Sequence, residues 1–216
     1  MSQKQTITSS LLLSLLVINS LLIISISSLP VNQTHHYVQD YVFDHPSCSL
    51  DSLAQVTLLP AALSSTNAAC VNAGRYYQKT YCDGDVGIVE SHCDDTCNKC
   101  EKVNKLEAVP CTSNSKGGSS FQFCGKLAVT AFPKLLWVLE YEQSDVDCEL
   151  KDKMFRISGL TIDKCEQEVS NHGWYRTCNQ THYSIKEYSG EKCGKLYRAY
   201  NGKTNFCEDK TSYECV

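Results

Sequence analysis

The sequence predicts a mainly β protein: two tandem, disulfide-rich β modules, sandwich- or meander-like, with little helix. Three observations carry that prediction. Fourteen cysteines, an even number, are spread over 216 residues. The gaps between them repeat from one half of the chain to the other. Between the cysteines lie short runs of aromatic and branched residues broken by Gly, Asn, Asp and Ser, the texture of strands joined by turns. Charged residues are 20% and hydrophobic ones 42% of the chain, which excludes a disordered acidic solvator. A net charge of −4 without a long Lys/Arg run excludes a phosphate-tracking nucleic-acid protein.

The first segment, 1–27, reads as a secretory signal peptide. Lys4 supplies the positive start, and Leu11 to Ile26 is apolar but interrupted by Ser14, Asn19, Ser20 and Ser25. Ser25 and Ser27 fit the small −3 and −1 positions of a cleavage site, and Leu29-Pro30 ends the run. An uncleaved signal anchor is the alternative. The end, Tyr213-Glu214-Cys215-Val216, lacks the apolar tail of a GPI signal. The expectation is an exported, extracellular chain with no membrane attachment after cleavage.

All the cysteines follow that segment: Cys48, Cys70, Cys82, Cys93, Cys97, Cys100, Cys111, Cys124, Cys148, Cys165, Cys178, Cys193, Cys207 and Cys215. In an oxidising compartment they read as seven disulfides. From Cys82 to Cys97 is 15 positions and from Cys97 to Cys111 is 14; Cys178 to Cys193 and Cys193 to Cys207 repeat those gaps. In this register Cys48, Cys70 and Cys124 match Cys148, Cys165 and Cys215, with Cys93 and Cys100 left over as plausible partners. The motif Asn72-Ala-Gly74-Arg-Tyr76 before Cys82 resembles Asn171-His-Gly173-Trp-Tyr175 before Cys178. The expectation is a duplication with modules at 28–130 and 131–216. Each is small enough to need its cross-links, because its core is thin against the chain entropy. Spacing leaves the rest of the pairing open. Two sequons, at Asn32 and Asn179, are candidate glycosylation sites.

Taken in order, 31–46 reads as an opening strand or ordered arm. Leu53, Val56, Leu59 and Leu63 recur at helical spacing, with Pro60 expected to kink or end the helix. Asp94 or Asp95 could cap a short helix through Cys97, Cys100 and Val103. Strands are expected at 121–123, 127–132, 135–141, 154–157, 160–162, 183–188 and 196–200. Asn201-Gly202 predicts a type I′ hairpin turn.

Few residues point to chemistry. Cys93-x3-Cys97-x2-Cys100 has iron–sulfur spacing and Cys97-x-x-Cys100 has redox spacing, but both need free thiolates, and structural bridges are the expectation. Neither a cofactor nor a metal is expected. Asp83-Gly84-Asp85-Val86-Gly87 reads as a polar turn rather than a calcium loop. The acidic strip Glu140, Glu142, Asp145, Asp147 and Glu149 could supply the paired carboxylates of a hydrolase, and otherwise reads as a solvated surface. The binding candidates are Trp174, Tyr183, Tyr188, Tyr197 and Tyr200, the last four interleaved with Lys186, Lys192, Lys195, Arg198 and Lys203. Aromatics on a rigid β scaffold suit sugar stacking or anchoring of a protein partner.

The Ser-rich signal, the Asn/Lys/Ser-rich texture and the Tyr-dotted, duplicated cysteine ladder resemble small cysteine-rich secreted proteins of social amoebae and other protists. The resemblance implies an extracellular protein and carries over no site residue. The leading expectation is a secreted binding, adhesion or extracellular-matrix protein without catalysis, with an extracellular protein or carbohydrate as partner and no nucleic acid. The alternatives are a secreted hydrolase using residues 140–149, or an inhibitor or effector presenting a rigid disulfide-braced loop.

Overall fold

The structure is a computed structural model that describes residues 34–113, 117–127, 132–150, 153–167 and 172–216. The expected signal peptide, Asn32 and the boundary at 130/131 lie outside the described residues. The fold is mainly β, and helix among the described residues is confined to short 3-10 turns.

Strands β1 (His36–Phe43), β2 (Leu53–Ala61), β7 (Val109–Ser113) and β8 (Ser119–Lys126) join β9 (Leu135–Tyr141), β10 (Met154–Thr161), β15 (Cys207–Glu208) and β16 (Thr211–Cys215) in one sheet. Its order is β15-β16-β9-β10-β2-β1-β8-β7. Two four-stranded sheets accompany it. The first is β3 (Val71–Asn72), β4 (Tyr77–Asp83), β5 (Val86–Cys93) and β6 (Cys100–Leu106). The second is β11 (Cys165–Gln167), β12 (His172–Cys178), β13 (His182–Ser189) and β14 (Lys195–Lys203). The central β2–β10 pairing, with Thr57 opposite Ser158, unites the two halves in the large sheet.

Either edge of the large sheet reads alike: β7-β8-β1-β2 from one side, β15-β16-β9-β10 from the other. Both arms carry a register shift at the same place, beside Phe43 in β1–β2 and beside Met154 in β9–β10. The bridges follow the same plan. Cys48–Cys111, Cys70–Cys97 and Cys82–Cys124 have counterparts in Cys148–Cys207, Cys165–Cys193 and Cys178–Cys215. Cys93–Cys100, directly opposed across β5–β6, is the seventh.

Alternation places the core. Tyr37, Gln39, Tyr41 and Phe43 of β1 share a face with Val56 and Leu58 of β2, Leu135, Trp137 and Leu139 of β9, and Ile157 of β10. All are at most 2% exposed, and the apolar ones form one cluster spanning both halves. Phe132 ties the halves together, stacking on Tyr41 and meeting Trp137 edge-on. Gln39 is buried without penalty: its amide donates to the carbonyls of Gly125 and Lys126, and its oxygen accepts from the Tyr41 hydroxyl. On the opposite face, Val38, Cys82 and Cys124 form a second, smaller cluster under the first small sheet.

Three local expectations are corrected. Residues 53–63 do not form a helix. Val56 and Leu58 alternate inward in β2, and Pro60 sits near its end, past the last β10 partner at Leu58. Residues 94–103 are not helical either: Cys97 N–H closes a turn on the Asp94 carbonyl, and β6 begins at Cys100. Leu127 and Phe132 are core residues beyond the end of β8 at Lys126 rather than strand.

The Asn201-Gly202 turn is also corrected, because both residues lie inside β14, opposite Ser184 and Tyr183. Glycine is required there for space. A Cβ on Gly202 would lie 2.5–2.6 Å from the Tyr183 ring. That ring is trapped, 8% exposed and stacked 4.0 Å from Tyr213. Gly202→Ala is expected to lower stability by about 1–3 kcal/mol, the range for overpacking. A denaturant titration checks it; an unchanged midpoint would mean the Tyr183 ring is free to move.

Candidate functional site

The second small sheet carries the aromatic and basic strip. Cys178–Cys215 ties β12 to β16, and the Tyr183–Tyr213 stack adds a second contact between the sheets. Strand β14 lies at the edge, paired only with β13, and its residues are exposed except for Gly202.

The sheet's pairing sorts the five candidates. Trp174, Glu187 and Arg198 form one row across β12, β13 and β14; Arg176, Ile185 and Tyr200 form the next on the same face. The β13–β14 bulge leaves Tyr197 without a partner in β13, and its ring meets His172 edge-on. Arg198 gathers the group. Its guanidinium donates to the hydroxyls of Tyr200 at 2.8 Å and Tyr197 at 3.3 Å, pairs with Glu187 at 3.2 Å, and lies 4.8 Å from the Tyr197 ring centroid. The bonds to Tyr200 and then Tyr197 push the Arg198 pKa further up. Tyr197 is 59% and Tyr200 45% exposed.

Trp174 is half-buried against the Arg176 guanidinium, which forms an ion pair with Glu166. Tyr183 is buried, 8% exposed. Burial foremost, and the neighbouring Tyr213 next, push its phenol up to about 12. Tyr188 lies on the opposite face, across from Leu196 and Gly173, and is half-buried. The structure thus brings Tyr197 and Tyr200 together, with Trp174 in the adjoining rows; Tyr188 lies on the other face, and Tyr183, in the next row of the same face opposite Gly202, is buried against Tyr213. His172 and Glu187 join the site unforeseen; the alternation of Tyr, Glu and Arg across paired strands was a signal only once the register was known.

The acidic strip is distributed over structural tasks. Glu140 pairs with Arg156 at 3.5 Å, and Glu142 with Lys153 at 3.0 Å while accepting from the Asn72 amide. Asp145, 6% exposed, accepts the backbone amides of Glu149 and Leu150 and so closes its own loop. Asp147 and Glu149 are exposed. Asp83–Val86 is a two-residue hairpin turn with Gly84 at φ +65, and Glu90 beyond it is held by Lys79 and Tyr81. His92 stacks on Tyr76 at 4.4 Å. Every cysteine is bridged, and among the described residues no group of three or more His, Cys, Asp or Glu side chains is placed to hold a metal. Asn179 is exposed in the β12–β13 turn, its carbonyl oxygen accepting from Thr181 and His182.

Compared with protein-family models, curated proteins and solved structures, the chain matches none.

Proposed function

We propose that this is a secreted, glycosylated binding protein of the cell surface or extracellular matrix, acting without catalysis through the β14 face. We further propose that it arose by tandem duplication of one disulfide-braced unit. Three equivalent bridges in each half and the mirrored strand order support the duplication. Seven bridges suit life in an oxidising compartment. No helix of the described residues is long and apolar enough to cross a membrane.

The observation that carries the binding role is the Tyr197–Arg198–Tyr200 group: two exposed tyrosines locked by one arginine on a braced edge strand. Tyrosine and arginine are the residues that dominate binding energies at protein interfaces, and here their conformational cost is met in advance. A protein partner is favoured over a sugar, because the Arg198 cation already lies over the Tyr197 ring. The test compares the secreted protein with a Tyr197→Ala/Arg198→Ala/Tyr200→Ala variant for binding to the surface of the cells that secrete it. The variant should bind at least tenfold more weakly while keeping all seven bridges and the parent's melting point. Equal binding by the two, or no saturable binding by the parent, would overturn the assignment.

One feature supports the inhibitor reading as second choice. The exposed turn Asp94–Lys99 is braced by Cys93–Cys100 at its base and Cys70–Cys97 within it. The Asp94 carboxylate accepts from the Asn98 amide and the Thr96 hydroxyl, which stiffens it further.

A further inference from the structure

The two halves differ at one equivalent place, and the difference leaves a cavity. On β4 the sequence before the bridge is Gln78-Lys-Thr80-Tyr-Cys82; on β12 it is Trp174-Tyr-Arg176-Thr-Cys178. These positions correspond in the structure as well. The Ala62 amide donates to the Thr80 carbonyl just as the Asp163 amide donates to that of Arg176. Val71 of β3 opposes Gln78 as Glu166 of β11 opposes Trp174. In the second half the corresponding positions are held by Trp174, Arg176 and its ion-pair partner Glu166. In the first half the smaller, uncharged Gln78, Thr80 and Val71 stand there instead, and they border a cavity of about 420 Å³.

We propose that this cavity is a binding site for a small uncharged amphiphile, an apolar body with a single hydroxyl or carbonyl head. Its volume is within the range of small-molecule pockets. Pro60, Val71, Met154 and Phe155 supply apolar wall. Gln78 and Thr80 are 9% and 8% exposed, line the cavity, and make no side-chain hydrogen bond to another described residue. Their polar groups stay accessible at the cavity wall, where a ligand's hydroxyl or carbonyl can hydrogen-bond with them. No Asp, Glu, Lys or Arg lines the cavity, and among the described residues His35 and His36 are its ionisable neighbours, so a ligand of fixed charge meets no fixed counter-ion there. The site is independent of the β14 face and of any partner bound there.

The test uses the oxidised, secreted protein with the neutral fluorophore N-phenyl-1-naphthylamine. One molecule should bind per chain with enhanced emission. 1-Decanol should displace it at least tenfold more effectively than decanoate or decyltrimethylammonium, all below their micellar concentrations. A Val71→Glu/Gln78→Trp/Thr80→Arg variant, carrying the second half's trio, should lose the probe at least tenfold. Should that variant not fold, Thr80→Val is isosteric and decides the matter: it should weaken 1-decanol at least threefold while leaving the fluorophore within twofold. No saturable binding by the parent, equal competition by decanoate, or a folded triple variant that still binds would each overturn the proposal; with Thr80→Val, an unchanged response to 1-decanol would do the same.

Discussion

Replacing Cys82 and Cys124 together by serine is expected to destabilise the protein by about 4 kcal/mol, as is replacing Cys178 and Cys215, from the loop entropy of bridges closing separations of 42 and 37. The location of these bridges makes the effect local as well. Each is the covalent tie between a small sheet and the large one. Without Cys82–Cys124, the first small sheet is held to the rest by the contacts of the Val38 cluster and by the bonds of Asn72 to Glu142 and Gln143, the Cys70–Cys97 side of the fold giving no help because both its ends lie in that sheet's region. Backbone bonds from Ala62 to β4 and from Cys124 to Asp85 remain. Amide exchange in β4 and β5 should therefore accelerate well before that in β9 and β10. Cys93–Cys100 is the internal control: it closes a separation of seven across strands that already pair, so its removal should cost about 2 kcal/mol and leave docking intact. Guanidinium unfolding and hydrogen exchange read all three variants. Equal exchange in both regions after loss of Cys82–Cys124 would show that the small sheet docks without its bridge.

The β character of the chain was legible because aromatic and branched runs such as 135–141 and 183–188 fall on strands almost to the residue. Local rules failed where tertiary packing set the outcome. Leu53, Val56, Leu59 and Leu63 fit a helical period, but the fold uses Leu53, Val56 and Leu58, a strand period disturbed by the shift beside Leu53. Asn201-Gly202 has the chemistry of a turn, yet Gly202 is selected by the ring of Tyr183, a residue 19 positions earlier that only strand pairing brings into contact. The candidate face shows the same limit. Composition identified its tyrosines and Arg198, whereas the placing of Tyr188 and Tyr197 depends on register and on one bulge, and the withdrawal of Tyr183 on its stack against Tyr213. The cavity was invisible in the sequence, since it consists of side chains that are small relative to their counterparts.

Trp137→Ala is expected to cost about 3–5 kcal/mol, the range for removing a large aromatic from a closed core. Trp137 is 0% exposed and central to the cluster shared by both halves. Its neighbour across β9–β10 is Gly159, where an added Cβ would lie 3.0 Å from the indole and closer still to Val56 and Leu135. The large residue and the missing one are therefore two parts of a single packing solution. Trp137 also receives the edge-on contact of Phe132, whose other neighbour is Tyr41 of the first half. Truncating the indole empties the space where the two halves meet, and β1 and β2 cannot collapse into it without breaking their pairing with β8 and β10. The substitution should lower the unfolding midpoint of both halves together, in one transition. Fluorescence offers a direct readout, because the chain has only two tryptophans and Trp174 is half-buried. In a Trp174→Phe background the emission should be blue-shifted and resist acrylamide until global unfolding. A loss below about 1 kcal/mol for Trp137→Ala, or separate transitions for the two halves in the parent, would show that the large sheet does not bind them into one cooperative unit.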